Sequence, residues 1–204
     1  MTTTESSPAV SVPAQAMQPD AINHLVLNVS DLDASHAFWT EIVGFREVVT
    51  IPNPETGKPR ARFYQSKAGT GHHDLALFQV MNPEFHKPAM EEWTMAARQL
   101  GVNHVAIKYH DRDEWMQQIA FLQSKGVKFH VRTEHGMTHS AYISDPDGYG
   151  IEILYELPQE VWGPNPAAAV IWGKRLPNEG PEALEDNSYY HMFDPTDPAV
   201  PNFS

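Results

Sequence analysis

The chain has 204 residues, 41% hydrophobic and 20% charged, with 14 Lys and Arg against 26 Asp and Glu and a formal net charge of −12. That length suits one ordinary domain or two small modules sharing a core. The charge argues against a nucleic-acid groove or an anionic membrane surface as the main partner, since both need clustered Lys and Arg. With no cysteine, disulfides and thiolate ligation are excluded, any metal is held by nitrogen and oxygen, and a reducing cytoplasmic setting fits.

The first 20 residues, rich in Thr, Ser, Pro and Ala, lack a basic start and a long apolar stretch, and read as a disordered tail rather than a signal peptide. No run approaches the length of a membrane span. Residues 22–29 alternate as a strand, and Ser30 with Asp33 resembles a capping box opening a helix over about 31–42, closed by Gly44. Strands follow at 45–51 and 60–66 around the turn Asn53-Pro54-Glu55-Thr56-Gly57, and a fourth at 73–80. The connector 81–101 is expected to hold a helix over about 90–100. The order then repeats: strand 102–109, helix about 112–125 ending at Gly126, and strands 127–132, 139–144 and 149–156.

The expected fold is therefore α+β: two tandem βαβββ modules, about 21–80 and 102–157, forming one paired, open barrel-like cleft within a domain of residues 21–157. Residues 158–204 are irregular, yet carry Trp162, Trp172, Tyr189, Tyr190 and Phe193. These are too many large apolar groups for a solvated tail, so the extension is expected to pack on its own domain, on another subunit or over a pocket.

Ile22 to Val29 and Val102 to Tyr109 are the same strand written twice, with His24 and His104 in matching places and Asp31 and Asp33 echoed by Asp111 and Asp113. A lone histidine in a strand is ordinarily a core or surface group. Here pseudo-twofold packing of the copies would bring the first strands together and let the two imidazoles converge. Glu152 sits beside Ile151, Ile153 and Leu154 with no basic residue in its strand or turn. A carboxylate there is costly to bury unpaired, and a divalent metal is the better partner. Two imidazoles and one carboxylate leave a charge of about +1 and open positions, the inventory of non-haem Fe(II) sites, although zinc, manganese or nickel could use the same ligands. His72 and His73 open the fourth strand, and His135 and His139 precede Tyr142. Each is a candidate acid or base, or a loop-exposed group.

The two βαβββ copies, Phe38-Trp39 before Val43-Gly44-Phe45, and Asp145-Pro146-Asp147-Gly148 leading to Glu152 resemble the vicinal oxygen chelate superfamily over roughly residues 20–157. Within it they look most like the small one-domain type I extradiol catechol dioxygenases. The resemblance implies His24, His104 and Glu152 as Fe(II) ligands, His73 as acid/base, Tyr142 on the catechol oxygen, and His135, or else His139, on the O₂ side. Ala76 falls where glyoxalase I carries a second metal-binding glutamate. The tail finds no match in that family, Ala141 replaces a larger apolar residue, and the 81–101 connector is longer.

The activity so implied is Fe(II)-dependent extradiol (meta) cleavage of a catechol-type diol by O₂, giving a 2-hydroxymuconic-semialdehyde-type product. It would be of the catechol 2,3-dioxygenase or 2,3-dihydroxybiphenyl 1,2-dioxygenase type, in a cytoplasmic homo-oligomer of aromatic hydrocarbon catabolism. Phe63, Tyr64, Phe78 and Trp172 are available to line its pocket. The alternatives are a metal-dependent thiol transferase or isomerase on the same fold, and a metal-free protein that binds an aromatic ligand or drug.

Overall fold

A computed structural model describes residues 16, 18–19, 21–69, 71–86, 93–94, 96, 101–180, 183 and 193–197. Most of the expected N-terminal tail, most of the expected helix near 90–100, and Tyr189 and Tyr190 lie outside the described residues. The first module runs β1 (Leu25–Val29), α1 (Leu32–Ala37), a π-helical turn (Phe38–Ile42), β2 (Arg46–Pro52), β3 (Pro59–Gln65) and β4 (Leu75–Gln79). The second runs β5 (His104–Lys108), α2 (Arg112–Ser124), β6 (Val131–His135), β7 (Thr138–Ser144) and β8 (Gly150–Glu156). After these come α3 (Gln159–Trp162), α4 (Pro166–Ile171) and a short β9 (Gly173–Arg175).

The fold is α+β, with sheet orders β1-β4-β3-β2 and β5-β8-β7-β6-β9, and the two sheets do not close into a barrel. In each module the first strand lies parallel to the last and forms a sheet edge, while the other pairs are antiparallel. The first helix is capped by Asp31 rather than Ser30: Asp31 Oδ1 accepts the N–H groups of Asp33 and Ala34 at 3.0 and 2.9 Å. Ser30 N–H instead donates to the Asp147 carboxylate of the other module, 3.1 Å from each oxygen. Strand β6 begins at Val131, not 127, because Val127 N–H still donates to Leu122 O at 3.0 Å and closes α2. Gly126 makes that stop possible with φ +71°, a left-handed conformation that a side chain disfavours.

Period two in the strands divides each sheet into two faces. Leu27, Val29, Leu75 and Leu77 of the first sheet and Ile151, Ile153 and Tyr155 of the second belong to one buried cluster with Trp39, Trp115, Ile119 and Leu122. Burial of this apolar surface, at about 25 cal/mol per Å², is what holds the modules together. Tyr109 O–H to Val43 O and Gln118 Nε2–H to Ile42 O cross the same boundary at 2.8 and 2.7 Å. The modules thus pack through their helix-bearing sides. The opposite sheet faces, which carry Val26, Ala76 and Phe63 in one module and Glu152 and Tyr142 in the other, point away from the shared core.

The extension continues the second sheet, with β9 pairing antiparallel to β6. Arg132, 1% exposed, donates to the carbonyls of Pro177 and Ala183 at 2.8 and 2.5 Å, and stands over the Trp115 ring. Phe193 N–H donates to buried Glu134 Oε1 at 3.2 Å. No helix among the described residues is long and apolar enough to cross a membrane.

Candidate metal centre

The register of each sheet fixes which side chains stand side by side. Glu152 on β8 lies opposite Ala106, two residues after His104, and opposite Tyr142 on β7. The four therefore share one face. His104 Nε2 stands 3.1 Å from Glu152 Oε2, and Tyr142 O–H donates to Glu152 Oε1 at 2.8 Å. Tyr142 Oη also lies 3.4 Å from His135 Nε2. His139, one residue out of phase with Tyr142 and Ser140, points to the other face, where it is fully buried beside Glu134 at 3.5 Å. By strand parity His135 stands on the face of Tyr142 and Glu152, and His139 stands on the other.

Glu152 is only 6% exposed. Burial pushes its carboxyl up, but hydrogen bonds from His104, Ser140 and Tyr142 and the His104 imidazole outweigh burial and hold it below the usual carboxylate range. The same setting, burial first and the Glu152 charge second, pushes the Tyr142 hydroxyl well above its ordinary value, so it remains a donor. Asn103 Oδ1 lies 2.7 Å from His104 Nδ1, and Asn23 Oδ1 lies 2.8 Å from His24 Nδ1. An amide oxygen only accepts, so in each imidazole Nδ1–H is the donor to the asparagine and Nε2 is the nitrogen left to face outward. At His104 that nitrogen faces a Glu152 carboxylate oxygen across 3.1 Å, a spacing bridged by a proton that a metal ion would replace. His104 and Glu152 thus offer one nitrogen and one oxygen donor of the kind a divalent cation takes, and the two asparagines are placed to orient the imidazoles.

His24 stands apart from this group. Its ring lies 4.6 Å from that of His73, which meets Phe63 edge-on at 4.8 Å and has His72 Nδ1 3.0 Å from its own Nδ1. Burial, His24 and His72 each lower the His73 pKa. Among the described residues no three His, Asp or Glu side chains are close enough together to hold a metal ion. The expectation that the two first strands come together within one chain is not met: β1 and β5 are edges of two separate sheets, pairing with β4 and β8. Tyr64 is corrected too. It lies one residue out of phase with Phe63, is fully buried on the helix side, and has its hydroxyl 3.1 Å from His36 Nδ1. Trp172 packs against Phe193, and its carbonyl oxygen is 3.4 Å from His135 Nδ1.

Two groups escaped the sequence reading. Asn23 and Asn103 were readable, since Asn-His recurs in both copies. Trp93 was not, because it lies in the connector, outside both copies of the repeat. Its indole is 2% exposed, stacks on the Tyr142 ring at 4.8 Å and 5°, and meets His104 edge-on at 5.9 Å.

The chain thus consists of paired βαβββ modules with an imidazole at the start of each first strand. Residues 21–153 match the Glyoxalase/Bleomycin resistance protein/Dioxygenase superfamily, and the chain belongs to that family. It is 28% identical over 140 residues to a probable lactoylglutathione lyase of Vibrio parahaemolyticus, covering 68% of this chain and 92% of that one. It is 27% identical over 130 residues to biphenyl-2,3-diol 1,2-dioxygenase 3 of Rhodococcus globerulus, covering 64% of this chain and 60% of the other. Among solved structures, a lactoylglutathione lyase from Agrobacterium tumefaciens superposes with a TM-score of 0.47 at 23% identity, covering 67% and 94% of the two chains.

Proposed function

We propose that this protein is a metal-dependent extradiol dioxygenase that opens the ring of a catechol-type diol, with His24, His104 and Glu152 as ligands to Fe(II). The observation that carries this reading is Ala76. It lies opposite Val26, two residues after His24, as Glu152 lies opposite Ala106, two residues after His104. A fourth, carboxylate ligand is therefore replaced by a methyl group. Phe63 and Phe78 flank the same face, which suits a planar ring. The dioxygenase relative from Rhodococcus is in keeping with this chemistry.

An iron(II) ion held there would bring diol and O₂ together and carry electrons between them. The chain's own groups do the rest. His73, neutral at pH 7 with its pKa lowered, accepts a proton from the diol and returns it as the ring opens. Tyr142 offers its buried hydroxyl as a donor beside Glu152, and His135 supports the Tyr142 oxygen. The ligands lie on two outward faces of one chain, with His24 and Val26 exposed, so the set closes between two copies: His24 from one, His104 and Glu152 from the other.

A second reading, a metal-dependent isomerase or lyase using the ion as a Lewis acid, is favoured by relatives named lactoylglutathione lyase. The test separates them. Protein loaded anaerobically with Fe(II) receives aerated catechol, 3-methylcatechol and 2,3-dihydroxybiphenyl with an oxygen electrode running. Protein loaded with Zn(II) or Ni(II) is assayed for lactoylglutathione lyase activity. Yellow product with stoichiometric O₂ uptake supports ring cleavage; lyase turnover without O₂ uptake replaces it by the second reading. Co-expressed His24→Ala and Glu152→Ala chains, each inactive alone, are expected to regain activity together.

A further inference from the structure

Trp93 reaches the second module from the connector and lies on the face that carries Glu152, His104 and Tyr142. Its Nε1–H donates to Asn103 O at 2.8 Å, next to His104. Gly150 shows how closely it is seated: a Cβ there would lie 2.1 Å from Trp93 Nε1 and 2.6 Å from Cδ1 and Cε2. Gly150 is not among the glycines with positive φ, and it is the first residue of β8. Its backbone does not require glycine; the indole above it does. By strand parity a side chain at 150 would point to the same face as Glu152. The chain has therefore left this position bare for a residue more than fifty positions away in sequence.

We infer that Trp93 is a specificity-determining residue of the candidate centre: its indole fills the slot along the Tyr142 ring and limits the width of any ring bound beside His104 and Glu152. A planar ligand cannot stack on that face of Tyr142, because a ring already lies parallel to it. A ligand that approaches His104 meets the indole edge-on as a wall. Single-ring diols clear that wall, and diols with a second ring placed toward Tyr142 do not. The inference rests on the catechol reading of the site.

The test uses full-length protein loaded with Zn(II), which holds the ligands without oxidative turnover, and measures dissociation constants for catechol and for 2,3-dihydroxybiphenyl by calorimetry. Trp93→Ala is expected to move their ratio toward the biphenyl by about ten-fold or more. Gly150→Ala, which expels the indole, moves it the same way. The double variant moves it no further than Trp93→Ala alone, since the alanine then has nothing to displace. Trp93→Phe, a milder change that keeps a stacked ring, falls between and carries the test if the alanine variants do not fold. Zinc content verifies that each variant retains its ligands. An unchanged ratio in folded, zinc-loaded variants overturns the inference alone. Absence of binding by either diol to any variant overturns the catechol reading, and the inference with it.

Discussion

Ala76 and Glu152 hold the same register position in the two sheets, each opposite the residue two after the module's first-strand histidine. One module thus presents a carboxylate where the other presents a methyl group. Ala76→Glu places a buried carboxylate beside Val26 and Phe63, with no cation on the neighbouring positions. Without metal the variant is expected to lose about 1–3 kcal/mol of stability. With Zn(II) it recovers that loss and binds the ion more tightly than the parent, while ring cleavage disappears because an open position is now filled. Thermal unfolding with and without metal, beside an O₂-uptake assay, checks both parts. Equal destabilisation with and without zinc would place residue 76 away from the centre.

His73 packs against both His24 and Phe63, so His73→Phe keeps the shape of that wall and removes only the proton carrier. We expect unchanged iron content and a kcat lower by about 10²–10⁴. Burial first, then His24 and His72, hold the His73 imidazole below its ordinary range. His72→Gln removes one of those influences, and the acidic limb of the kcat/KM profile moves to higher pH. A limb that stays in place would remove His72 from the proton chemistry.

How much of this was legible follows the range of each interaction. His24, His104, Glu152 and Ala76 were readable because a duplicated βαβββ pattern fixes their places locally, and the ladders place them in matching registers. Tyr64 was misread by one residue of strand phase, the smallest error possible and one that turns a side chain to the opposite face; the same parity separates His139, the alternative to His135, from the Tyr142 face. The face-to-face arrangement of the modules was not legible. Which sides of two amphipathic sheets meet depends on how Trp39 and Trp115 pack in a common core, and periodicity within either module is silent on that. Trp93 was hidden for the same reason, since only tertiary packing reveals that its ring covers Gly150.

Asp145 opens the turn into β8, and its Oδ1 accepts the N–H groups of Asp147 and Tyr149 at 2.9 and 2.8 Å. Burial, opposed by those bonds, pushes its carboxyl up from 3.8 to about 6. Between those values the folded chain keeps a proton that the unfolded chain has released. Its contribution is therefore fully present below about pH 4 and is lost as pH rises through about 6. Asp145→Asn keeps the Oδ1 acceptor and removes this titration. Relative to the parent, the metal-free variant should gain on the order of 1–3 kcal/mol between about pH 4 and pH 7. Urea unfolding at the two pH values measures it, and a pH-independent difference would contradict the assignment.

Gly136 turns β6 into β7 immediately after His135, and its N–H donates to Ala169 O at 3.0 Å. A Cβ at this position would lie 2.7 Å from Phe193 Cγ and 2.8 Å from the Ala169 backbone. The hairpin and the extension therefore meet with no spare volume, and the backbone of α4 cannot yield as a flexible side chain could. Gly136→Ala is expected to cost about 1–3 kcal/mol and to loosen the extension from the sheet. Because the Trp172 carbonyl faces His135 Nδ1, the loosened extension also frees the imidazole beside Tyr142. The readouts are a lower melting temperature and faster proteolytic cleavage within residues 158–180, located by mass spectrometry. Cleavage unchanged from the parent would mean that the extension is held by Arg132 and the β6–β9 ladder alone.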